Sequence, residues 1–99
     1  MNVTVEKLRQ SGNRVRVSHY RWYETSLGDE LLAKYEIAQN NIEVVDGPFP
    51  YGGMTKIEIT TPDGESLTGV AECSDRDNFS RKRGVAIALG RAITNKEVA

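Results

Sequence analysis

Alternation with a period of two marks most of the first three quarters of this chain, and a helical period marks the last quarter. Residues 2–8 (Asn-Val-Thr-Val-Glu-Lys-Leu) alternate in a strand-like way. Gln10-Ser-Gly-Asn13 reads as a turn, and residues 14–23 alternate again. In that second stretch Val15, Val17, His19, Arg21 and Tyr23 share one face, and Arg14, Arg16, Ser18, Tyr20 and Trp22 share the other. The two stretches predict an N-terminal hairpin. Met54–Thr61 places Thr55, Ile57 and Ile59 on one face, Pro62-Asp-Gly64 is a turn, and Leu67–Cys73 is the return strand.

Between these units the pattern is ambiguous. Ser26-Leu-Gly-Asp29 reads as a loop. Asp29 is placed to cap a short helix through Gln39 with Leu31, Leu32, Tyr35 and Ala38 on one face, while an extended reading of Lys34–Ala38 stands beside it. Asn40-Asn41 is a break, Ile42–Val45 a short strand, and residues 46–53 an irregular Pro- and Gly-rich loop. After Cys73, Asp77 or Asn78 caps a helix running to about Asn95. Phe79, Lys82, Ala86, Leu89 and Ile93 line one side of it, widened by Val85, Ala88 and Ala92; Phe79, Ala86, Leu89 and Ile93 are expected to face the sheet. Gly84 and Gly90 weaken that helix, which points to close approach of the sheet there. The predicted fold class is α+β: one domain over residues 1–99, a small antiparallel sheet of about four or five strands with the C-terminal helix packed on it.

Composition narrows the class. Ninety-nine residues with 38% hydrophobic content support one modest core, which self-association would supplement. No apolar run reaches membrane-spanning length, and the N-terminal residues lack the apolar region of a signal peptide. The single cysteine, Cys73, excludes an internal disulfide and reads as a small buried residue ending a strand in a reducing compartment. The net charge of −1 conceals a strong asymmetry: +4 over residues 1–23, −8 over residues 24–72 and +3 over residues 73–99. If the basic ends meet in the fold, they form one positive surface beside an acidic one. A near-neutral chain is a poor generic DNA binder.

The clearest chemistry lies at the start of the C-terminal helix. Arg81, Lys82 and Arg83 crowd a terminus that already carries partial positive charge and free N–H groups. Such a terminus, opened by Asp77 and Phe79, suits phosphate. Tyr20 and Trp22, on one face with Arg14 and Arg16, offer rings to stack a base beside cations; Arg91 is a further cation. The candidate ligand-binding residues are therefore Arg14, Arg16, Tyr20, Trp22, Asp77, Phe79, Arg81, Lys82 and Arg91. His19 stands alone, without an Asp, Ser or Cys partner in sequence, and reads as a hydrogen-bonded or interface residue. No Cys/His ligand set, paired metal carboxylates, Walker or dinucleotide loop, or nucleophile elbow is present, so no catalytic residue, metal or cofactor is expected and an enzyme is disfavoured.

From Gly69 to Ala92 a strand ends in Cys-x-x-x-Asp-x-Phe, followed by Arg-Lys-x-Gly and Ile-Ala-x-Gly-Arg-Ala, carried by Cys73, Asp77, Phe79, Arg81, Lys82, Gly84, Ile87, Ala88, Gly90, Arg91 and Ala92. This segment resembles small bacteriophage and prophage proteins, and among them is similar to the anti-Thoeris sponge family. Val85 departs from the basic residue many of these carry. The resemblance implies a non-enzymatic counter-defence protein in the host cytoplasm, a homo-oligomer that sequesters a cyclic ADP-ribose-type or cyclic-oligonucleotide signal. Two other classes remain open: an anti-CRISPR-type inhibitor that binds a host defence protein through its acidic middle, and a nucleic-acid-binding phage protein.

Overall fold

The computed structural model describes residues 3–98, and the side chains of residues 3–94. The order of elements is α1 (Val5–Gln10), β1 (Arg14–Thr25), β2 (Gly28–Ala33), α2 (Lys34–Gln39), β3 (Val44–Asp46), β4 (Met54–Thr60), β5 (Ser66–Glu72) and α3 (Arg81–Val98). The five strands form one antiparallel sheet in the order β2-β1-β4-β5, with β3 paired to the end of β1. Helix α3 packs on β4 and β5, as the predicted α+β class requires. Among the described residues no helix is long and apolar enough to cross a membrane.

The N-terminal hairpin is replaced by a helix. Thr4 accepts the Lys7 N–H through Oγ1 at 3.1 Å, Glu6 sits in the first turn, and Val5 and Leu8 each pack against the core. That spacing of three is helical, and the Thr4 cap overrides the alternation; Asn2 lies outside the described residues. The helix predicted from Asp29 starts instead at Lys34. Gly28–Ala33 is drawn into a hairpin with β1, where Thr25 Oγ1 donates to the Gly28 carbonyl at 2.8 Å and accepts the Leu27 N–H at 3.1 Å. The alternative extended reading of Lys34–Ala38 is overturned by α2, whose Glu36 carboxylate accepts the Ala33 N–H at 2.9 Å.

Helix α3 begins at Arg81, later than an Asp77 or Asn78 cap allows. Residues 77–79 are held against the Pro-Gly loop: Gly52 N–H donates to the Asp77 carbonyl, Phe79 N–H donates to the Pro50 carbonyl, and Asn78 bridges Tyr51. Ser80 takes the capping role, accepting the Arg83 N–H at 3.2 Å. The helix face shifts accordingly. Ala88, Leu89 and Ala92 are buried and Val85 and Ile93 partly so, whereas Lys82 and Ala86 are exposed. The core joins Val15, Ile57, Ile59 and Ala71 to that helix face. Close approach explains Gly84, where a Cβ would run into the Thr55 side chain, but not Gly90, which has nothing within 4 Å. The closest approach falls at Gly69 in β5, where a Cβ would overlap the Ala88 carbonyl oxygen.

A candidate anion-binding cleft

A cleft of about 360 Å³ opens where β1 outruns β2. Its walls are Val17, His19, Arg21 and Tyr23 from the helix-bearing face of β1, Arg16 and Ser18 from the opposite face, Ala33, Lys34 and Tyr35 from the β2–α2 junction, Pro48, and Arg81 at the start of α3. Three arginines and a lysine thus meet with no carboxylate among the lining residues. An ion pair on β4, Lys56 to Glu58 at 3.9 Å, involves none of them. The basic N-terminal block, through Arg16 and Arg21, and the C-terminal block, through Arg81, do converge here.

Arg21 is the most constrained of these cations. Its guanidinium carbon lies 4.3 Å from the centroid of the Phe79 ring, and one Nη donates to the Phe49 carbonyl at 2.9 Å. Its Nε is buried without an acceptor. A guanidinium offers five N–H donors, so this one is prearranged and short of acceptors. His19 stands edge-on to Phe79, with ring centroids 5.7 Å apart, and its Nδ1 lies 3.0 Å from Thr55 Oγ1. Burial holds the His19 pKa below its usual value, and the charges of Arg81 and Arg21 push it further down. The imidazole is therefore neutral at neutral pH, and the charge of the cleft comes from Arg and Lys.

The structure divides the residues expected from sequence. Arg16 and Arg81 enter the cleft, and Phe79 supports it from beneath Arg21. Tyr20 is set behind it, its hydroxyl 3.1 Å from that of Tyr35. Trp22 packs over Gly52. Asp77 lines a separate cavity of about 100 Å³ with Cys73, Thr55 and Arg83. Lys82 is exposed outside the cleft, and Arg14 is exposed at the start of β1 opposite Thr60. Arg91 donates to the Val70 carbonyl at 2.7 Å, much as Arg9 donates to Val15 at 2.9 Å; β5 and the early part of β1 are sheet edges, and each arginine covers one edge carbonyl. Sequence reasoning missed Arg21, Lys34 and Tyr35 as site residues. The alternation that set Arg21 beside His19 was the available signal for the first, while Lys34 and Tyr35 arrive only through the unforeseen β1–β2 hairpin.

Among the described residues no group of three or more His, Cys, Asp or Glu side chains is placed to hold a metal ion. The chain matches no protein-family model, no curated protein and no solved structure.

Proposed function

We propose that this protein is a non-catalytic binder that captures a nucleotide-derived anion in the cleft beside β1, and that it does so in phage counter-defence by sequestering a signal. The observation that carries the reading is the cleft itself: Arg16, Arg21, Lys34 and Arg81 around one space, with no carboxylate among the residues that line it. Cations converging on one cleft favour a phosphate-bearing ligand, because each charge-assisted hydrogen bond contributes about 1.5–3 kcal/mol. The counter-defence setting rests on the resemblance of residues 69–92 alone.

Native mass spectrometry with a panel of cyclic nucleotides and cyclic ADP-ribose isomers tests it. The expected result is a retained adduct from at least one panel member, lost in Arg81→Ala and kept in Asp29→Asn. Bare protein throughout the panel would contradict the proposal.

One observation favours a second reading. The register sets Glu24 directly between Asp29 and Asp46 across three adjacent strands. Like charges so placed are destabilising, and a basic groove on a host defence protein would relieve them. Under that reading, binding is lost in the Glu24→Gln/Asp46→Asn double variant and is indifferent to Arg81→Ala.

A further inference from the structure

One side of β1 is open along the cleft. Pairing with β2 ends at Ala33 opposite Tyr20, and Arg9 covers the Val15 carbonyl; between these points no strand among the described residues pairs with β1 on this side. Main-chain groups of a strand alternate between its two sides. The Val15 carbonyl faces Arg9, and the Trp22 carbonyl faces the other way, where it accepts the Phe49 N–H at 2.9 Å. By the same alternation the N–H and C=O groups of Val17 and the N–H of His19 point outward, into the cleft that both residues line, while the His19 carbonyl closes the ladder beside the Tyr20–Ala33 pair.

Tyr35 stands in the same cleft. The Arg16 guanidinium carbon lies 5.1 Å from its ring centroid, and its hydroxyl is tied to that of Tyr20. The Tyr20 pKa is pushed up to about 12, first by the hydrogen bond to Tyr35, then by burial and by the charges of Glu36 and Glu58. The Tyr20 phenol therefore stays protonated, and the contact between the two hydroxyls holds Tyr35 in place with 39% of it exposed.

Resting on the anion-binding reading above, we infer that the cleft reads a base as well as a phosphate. The ligand is of mononucleotide size, its planar base lies against Tyr35, and the Val17–His19 main-chain edge hydrogen-bonds the donor and acceptor atoms on the rim of that base. Arg21, Lys34 and Arg81 hold the phosphate end. A sugar phosphate or polyphosphate brings charge, but neither a π-face for Tyr35 nor a base rim for the strand edge. Tyr35 is thus the stacking ring, and Tyr20 is a positioning residue that acts through it.

Isothermal titration with AMP and with ribose 5-phosphate separates the two parts of the claim. AMP is expected to bind about 10–100-fold more tightly, since stacking and edge recognition both depend on the base. Tyr35→Ala, a change at an exposed position, removes that advantage and brings AMP down to the affinity of ribose 5-phosphate in the same variant; Tyr35→Phe retains most of it. In ¹⁵N-labelled protein, the Val17 and His19 amide resonances shift with AMP and not with ribose 5-phosphate. Equal affinity for the two ligands, with both still weakened by Arg81→Ala, overturns base recognition and leaves the anion site standing. Failure of both ligands to bind overturns base recognition together with the reading it rests on.

Discussion

Replacing Gly69 with alanine adds one carbon at the tightest point of the fold. The strand backbone itself accepts the change, because Gly69 does not have a left-handed φ. The obstacle is α3. The new Cβ overlaps the Ala88 carbonyl oxygen and falls 2.6 Å from the Ala92 nitrogen and 3.0 Å from the Ala88 carbonyl carbon. All three are main-chain atoms, so no side chain can rotate away. Comfortable contacts lie near 3.5–4.0 Å, and the helix must retreat by about 1.5 Å. That retreat loosens Ala88, Leu89 and Ala92 against Ile57, Ile59 and Ala71, which is most of the core. Overpacking of this kind costs about 1–3 kcal/mol, and rigid neighbours place Gly69→Ala at the upper end. For a chain of this size the melting temperature should fall by about 10–20 °C. Gly90→Ala is the matched control. It adds the same methyl group to an exposed helical site with nothing within 4 Å, and should stabilise by about 0.5–1 kcal/mol. Thermal and urea unfolding followed by circular dichroism measures both. A Gly69→Ala melting point unchanged from the parent, or a Gly90→Ala variant that loses as much, would refute the close packing of α3 on β5.

Gly84→Ala should destabilise despite its better helix propensity, because its Cβ meets the buried Thr55 side chain; an unfolding midpoint at or above the parent's would count against that contact. Ser80→Ala should cost about 1 kcal/mol by removing the cap that accepts the Arg83 N–H, measurable as a lower urea midpoint. Because the folded chain holds His19 below 6.5, it takes up that proton less readily than the unfolded chain. Stability from this group is intact above about pH 6.5 and declines as pH falls through the window beneath it, and His19→Gln should flatten that part of the profile in pH-dependent unfolding. In ligand titrations, Arg21→Ala and Arg81→Ala should each weaken binding about 10–100-fold, whereas Lys82→Ala, outside the cleft, should change it less than about threefold.

Where local chemistry and tertiary pairing agree, the elements were legible. Pro62-Asp-Gly64 sits between two alternating runs, and the β4–β5 hairpin follows from it, with Thr61 N–H donating to the Glu65 carbonyl at 2.8 Å. Where they conflict, pairing prevails. Asp29-Glu-Leu-Leu-Ala33 has good helix formers behind a capping residue, yet it lies along β1 as a strand. Residues 3–8 show the opposite conflict, a strand-like alternation overruled by the Thr4 cap and by the packing of both Val5 and Leu8 against the core. The site inherits both kinds of outcome. Arg16 and Arg81 stand out as charges beside an aromatic strand and a helix start. Lys34 and Tyr35 reach the cleft only because β2 turns back along β1 and stops at Ala33. That stopping point also opens the strand edge, and nothing in the local sequence marks it.

The proposed ligand site is the cleft beside β1. Chemical-shift mapping of the ¹⁵N-labelled protein, titrated with the nucleotide panel, tests it most directly. A binding panel member is expected to move resonances of residues 16–21, Lys34, Tyr35 and Arg81 while leaving those of Glu24, Asp29 and Asp46 in place. Shifts confined to the acidic row, or none with any member of the panel, would contradict it.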